Sequence, residues 1–123
     1  MLKLFEDITE DLTDYENQVV KPIIIQGLEL KRGKENAVTN KHIVEKLKEQ
    51  GIKTSTPRVR KIIHDIRVND TIPCLIATSS GYYISKDIEE LDNYILSLTQ
   101  RMFSIKEIRD SLRKQRDLLK CSK

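Results

Sequence analysis

Basic side chains crowd one short stretch of this chain. Residues 52–67 hold Lys53, Arg58, Arg60, Lys61 and Arg67 against a single acid, Asp65. Cations at this density suit a polyanion, because phosphate contacts supply most of the non-specific affinity for nucleic acid. On a helix, arginine can reach guanine O6 and N7 with both arms of its guanidinium, and lysine can serve bases or phosphates. Thr54, Ser55 and Thr56 can donate to phosphates beside the free N–H groups of a helix N-terminus. The plainer alternative is a solvated helix face with uneven charge.

Other chemistry finds little to work with. His42, His64, Cys74 and Cys121 lack the spacing of a metal-binding set, and no cofactor is implied. His64 reads as a polar surface residue and Cys74 as a small apolar filler on a strand. There is no glycine-rich phosphate loop and no nucleophile with a plausible neighbouring base, so no enzymatic activity is expected. Glu89 and Glu90 suit the first turn of a helix, where acids favour its dipole.

The elements that must position the basic residues can be read from apolar spacing. Thr13 or Asp14 can cap a first helix reaching about Lys31. Its apolar side carries Val19, Ile23 and Leu30, broadened by Val20, Ile24 and Leu28. Pro22 must kink that helix or mark its true start. Residues 31–36 read as a loop. Thr39 or Asn40 caps a second helix to about Gln50, with Ile43, Val44 and Leu47 inward and Gly51 suited to the left-handed position after its end. Thr56 as cap, with Pro57 at the first helical position, starts a third helix to about Val68. Val59, Ile62, Ile63 and Ile66 form its buried stripe. Pro57, Lys61, His64 and Val68 lie opposite, flanked by Arg58, Arg60 and Arg67. Two strands follow at residues 72–77 and 82–85, joined by a turn at residues 78–81. Tyr82 and Tyr83 alternate faces, so one should pack and the other should be exposed. Ser79 and Ser80 sit at the hairpin tip, with Lys86 beyond it, and suit a loop resting on a phosphate backbone. Asn40 and Lys41 open the second helix, where helix-turn-helix proteins meet the DNA backbone.

Asp87 can cap a last helix to about Lys120. Ile88, Leu91, Ile95, Leu98, Met102, Ile105 and Leu112 recur at steps of three and four, interrupted at Arg109, and the frame continues through Arg116 to Leu119. At 1.5 Å per residue this helix is about 50 Å long, more than a domain of some 85 residues can cover. The projecting apolar seam calls for a partner, and a second copy is the simplest. Arg109 and Arg116 would face their own copies in a tight parallel pair. Antiparallel pairing separates them, and pairing limited to residues 88–105 avoids them.

The 123 residues allow one domain plus an arm. Charge is uneven: net −5 over residues 1–20, +6 over 21–85 and +2 over 86–123. Two distant cysteines fit a reducing cytosol rather than a disulfide framework. No signal peptide or membrane-spanning run is evident, so a cytoplasmic protein is expected.

The runs RGKENAVTNKHIVEKL (residues 32–47), PRVRKIIHDIR (57–67) and IPCLIATSSGYYIS (72–85), followed by a long charged helix, resemble small winged-helix proteins encoded by bacteriophages and related mobile elements. The most specific parts are residues 36–41 and 79–83, and the resemblance spans roughly residues 13–115. It implies a winged helix-turn-helix, mainly α with a small β-hairpin wing, and DNA as partner. The expected organisation is an acidic flexible arm over 1–12, a DNA-binding domain over 13–86 and a coiled-coil dimerisation helix over 87–121. The expected function is a homodimeric, sequence-specific binder of double-stranded DNA, used in transcription regulation or in phage replication or recombination. The alternative is a winged-helix protein-interaction module that does not bind DNA.

Overall fold

The structure, a computed structural model, describes residues 10–122; most of the expected acidic arm, residues 1–9, lies outside them. The chain divides after Lys86 into two compact units. The first is a winged helix-turn-helix: three helices, then a two-stranded antiparallel hairpin.

The first helix, α1, begins at Asp14 and Tyr15, runs as a π-helical stretch over Glu16–Val20 and continues as α-helix over Lys21–Leu28. Its start is a capping box. Thr13 Oγ1 accepts from the Glu16 N–H at 3.1 Å, and Glu16 Oε1 accepts from the Thr13 N–H at 2.9 Å. Pro22 does not break the helix but marks the start of its α-helical part. It falls in the first turn of the α-helical part, just after the wider π-helical turn. A wider turn relieves both consequences of an internal proline, the missing donor and the clash with the carbonyl four residues back. Val20, Ile24 and Leu28 are the buried positions, whereas Val19 is exposed and Ile23 half-buried. Leu30 lies beyond the helix end and is 78% exposed.

Helix α2 (Asn40–Glu49) is capped by Thr39, whose hydroxyl accepts from the His42 N–H at 3.2 Å. Ile43 and Leu47 are buried, and Gly51 follows with φ +79°. Helix α3 (Thr56–Val68) is capped one residue earlier than expected. Ser55 has extended backbone and accepts from the Arg58 N–H at 3.4 Å, while Thr56 is already helical. A serine in extended backbone meets the same need as a threonine. Val59, Ile62, Ile63 and Ile66 are 0–1% exposed and form the centre of the core.

Strands β1 (Leu75–Thr78) and β2 (Gly81–Ile84) pair antiparallel, from Thr78 opposite Gly81 to Leu75 opposite Ile84. Thr78 and Gly81 therefore belong to the ladder, and only Ser79 and Ser80 turn. On its other side β2 meets the segment expected to be a loop. Gly33 N donates to Ile84 O at 2.9 Å, and Val38 and Tyr82 exchange backbone bonds of 3.0 and 2.7 Å. A 3-10 turn, Lys34–Asn36, separates these two contacts. Cys74 is not a strand residue: its φ of +64° turns the chain before the ladder begins, and its side chain is exposed rather than packed. Tyr82 and Tyr83 are both buried, so neither face of β2 presents a tyrosine to solvent.

The second unit is one helix, α4 (Ile88–Cys121), capped by Asp87 through the Glu89 N–H at 3.0 Å. None of its residues is buried.

Gly81 has φ +117°, and a Cβ there would lie 2.4 Å from the Val38 carbonyl oxygen. Relief would require separating β2 from Val38. Gly81→Ala should lower stability by about 2–3 kcal/mol in urea unfolding. A loss under about 0.5 kcal/mol would mean that this close approach does not hold in solution.

Candidate nucleic-acid interface

Helix α3 turns its isoleucines inward, which leaves the opposite side for its cations. Arg60 and His64 are exposed, and Lys61 and Arg67 are half-exposed. Together with Pro57, Ile63, Ala77 and Tyr82 these four line a shallow groove of about 510 Å³ between α3 and the hairpin. Expected contacts from α3, Arg60, Lys61 and His64, thus share one concave surface, whereas the hairpin contributes Ala77 and Tyr82 rather than the expected Ser79 and Ser80.

Arg58 is a correction. Its guanidinium is turned away from that groove and into the fold. Nε donates to Glu16 Oε2 at 2.9 Å, and a second arm pairs with Glu16 Oε1. Nη1 and Nη2 also donate to the carbonyls of Glu10 and Asp11, at 2.9 and 3.0 Å. The two charged side chains are only 12% and 11% exposed. A side chain held by four acceptors in this environment is structural, and groove contact would require dismantling the start of α1. The last residues of the acidic arm are accordingly pinned to α3 rather than loose, and Leu12 packs against the core.

Asp65, the one acid of the basic stretch, is also drawn to α1, where Lys21 Nζ lies 2.9 Å from Oδ2. Two oppositely directed ion pairs therefore join α1 to α3. Arg60, Lys61 and Arg67 line the groove on the other side of α3, and Lys53 is exposed in the preceding turn.

The remaining expected contacts are placed as follows. Lys53 and Lys41 are exposed, and Thr54, Ser55 and Thr56 are half-buried at the start of α3. Asn40 is committed to the hairpin through Oδ1, which accepts from the Tyr82 hydroxyl at 2.9 Å. Ser79 is exposed at the tip, and Ser80 donates its N–H to Thr78 Oγ1 at 3.1 Å. Lys86 pairs with exposed Glu35 at 3.3 Å. Among the described residues, no cluster of three His, Cys, Asp or Glu side chains could hold a metal ion. No described helix is long and apolar enough to cross a membrane.

The structural residues missed in the sequence are Glu16, Lys21 and Asp65. A signal for the first was present: Thr13-Asp14-Tyr15-Glu16 has the Thr-x-x-Glu spacing of a capping box. The cross-helix partners left no comparable mark.

No protein family model, curated protein or solved structure matches this chain. Geometry and charge are therefore what speak to function.

Hydrogen bonding from Arg58 holds the Glu16 carboxyl below its ordinary value of 4.5, against the opposing effect of burial. A depressed native pKa means that the pair stabilises the fold fully above that ordinary value. The contribution is lost as pH falls through the lower native value. Glu16→Gln should cost about 2–3 kcal/mol at neutral pH, because it leaves the guanidinium poorly partnered. It should also flatten the acid limb of the stability–pH curve. An acid limb identical to that of the unsubstituted chain, measured by urea unfolding from pH 6 downward, would remove Glu16 from this role.

Proposed function

We propose that the protein binds duplex DNA through the outer face of α3 and the adjoining hairpin, and that it acts as a binding protein without a catalytic step. One observation carries the reading. Arg60, Lys61, His64 and Arg67 line a single groove with hairpin residues, and the only acid of the stretch is paired on the opposite side. In helix-turn-helix proteins the recognition helix enters the major groove by such a face, which is about as wide as a helix requires. Arg60 and Lys61, near the start of α3, are assigned to base edges or phosphates. Lys41, Lys53 and the polar residues before α3 are assigned to the backbone, with Ser79 and Ser80 on the flanking duplex. The homodimer is proposed to form through the exposed apolar seam of α4. Use in transcription regulation, or in replication or recombination of a phage or mobile element, in the cytosol, fits such a binder.

A second reading, a protein-interaction module, is favoured by the apolar exposure of α4, where Ile95, Met102, Phe103 and Ile105 are each at least 55% exposed. Salt separates the two readings. Phosphate contacts weaken steeply with ionic strength, and apolar contacts do not.

Arg60→Ala combined with Lys61→Ala should weaken binding to a random duplex by about 10- to 100-fold. The slope of log affinity against log salt should fall by about 2, one phosphate-equivalent contact per side chain removed. Fluorescence anisotropy across a salt series would measure both. Unaltered affinity and slope would exclude this face, and no salt-sensitive binding by the parent protein would favour the interaction module.

A further inference from the structure

Helix α4 is polar along its length as well as across its section. Residues 87–100 carry Asp87, Glu89, Glu90 and Asp92 and no Lys or Arg. Residues 101–122 carry seven Lys/Arg against Glu107, Asp110 and Asp117. One half is therefore net −4 and the other net +4. The apolar seam runs through both halves, with Ile88, Ile95, Leu98, Met102, Ile105, Leu112 and Leu119 between 40% and 78% exposed.

From this we infer that two copies of α4 pair antiparallel, in a register that sets Met102 of one copy across from Ile105 of the other. The inference rests on the self-association proposed above and specifies its geometry. In this register no seam arginine meets its own copy: Ile88 meets Leu119, Ile95 meets Leu112, and the two interrupting arginines, Arg109 and Arg116, lie across from Leu98 and Leu91. Long arginine stems can cover apolar surface while their heads reach water. Asp92 of each copy flanks the seam opposite Arg113 of the other, giving two oppositely charged contacts per pair. The acidic half of each helix also runs beside the basic half of its partner.

Parallel in-register pairing has the reverse character. It stacks Arg109 on Arg109 and Arg116 on Arg116 within the seam. It also sets Asp87 beside Asp92 and Arg101 beside Lys106 at its flanks. Like charges at such positions disfavour association. Charge complementarity thus selects both the occupant of the seam, a second copy, and its direction.

Antiparallel pairing has a functional consequence. The two α4 N-termini stand about 47 Å apart in this register, and each continues into its own winged-helix unit. Half-sites on one face of a duplex are set about 34–36 Å apart for one helical turn.

The decisive substitution is Asp92→Arg, because its sign depends on direction. Antiparallel pairing places the new arginine against Arg113, so the dimer should weaken about tenfold in sedimentation equilibrium, and Asp92→Arg with Arg113→Asp should restore it. Parallel pairing places it against Asp87, so a tighter dimer would overturn the inference, as would no change. If the unsubstituted chain is monomeric at all concentrations, the self-association reading itself fails. Spin labels avoid altering the charge pattern. In the full chain with Cys74→Ser and Cys121→Ser, a label at Asn93→Cys should report a separation above about 30 Å, and one at Ser104→Cys a much shorter one. Short distances at both positions would establish parallel pairing.

Discussion

The tie between α1 and α3 centres on one buried ionic joint, Glu16 with Arg58. Glu16 is asked to do two things at once: it completes the capping box that starts α1, and it receives two arms of Arg58. The guanidinium suits the task because its donors are fixed in a plane and remain charged. Two arms go to the carboxylate, and the bonds to the Glu10 and Asp11 carbonyls bind the chain that precedes α1. Burial makes the arrangement consequential. At 11–12% exposure neither charge is fully hydrated, so loss of either partner leaves the other uncompensated. Lys21 and Asp65 supply a second, more exposed tie farther along the same pair of helices. Two ties, together with the four core residues of its apolar stripe, fix which way its remaining side faces.

The charge of residues 52–67 is sorted by this geometry rather than reduced. Drawing Arg58 and Asp65 together toward α1 leaves the outward balance of the stretch unchanged but removes its only acid from that side. Four cations remain, and Arg60, Lys61 and Arg67 share a groove with the hairpin. The hairpin is held in place by β2, which is bonded on both edges, to β1 and to the segment around Gly33 and Val38. Tyr82 adds a side-chain tie from β2 to Asn40 at the start of α2. The groove is thus framed by elements fixed to one another through both backbone and side chains.

The elements of the winged helix were legible because each is written locally. The 59-62-63-66 stripe, the Thr39 cap, Gly51 and the short strands either side of Ser79-Ser80 are all features of a few adjacent residues. What escaped local reading was long-range. Arg58 is separated from Glu16 by 42 positions, and no periodicity distinguishes an arginine that points to solvent from one that reaches a neighbouring helix. The pairing of Val38 with Tyr82 was hidden for the same reason, behind a segment with the composition of a loop. Pro22 was legible in part. Propensity marks a kink or a start, and the α-helical part does start there, continuing a π-helical turn, with Val20, Ile24 and Leu28 as the buried apolar positions.

Helix α4 poses the opposite problem to α3. In α3 the apolar residues are consumed by the core, while Arg60, Lys61 and Arg67 lie on the other side. In α4 the apolar residues are left over as well, since none of its 34 residues is buried. An apolar seam by itself says only that something should cover it. Arginines within such a seam make that demand directional, because a cation that is costly opposite its own copy is tolerable opposite leucine with its head in water. Association through α4 and nucleic-acid contact through α3 would then be governed by the same rule that fixes the joint at Glu16. Charges lying close together must be matched in sign, as those of Glu16 and Arg58 are.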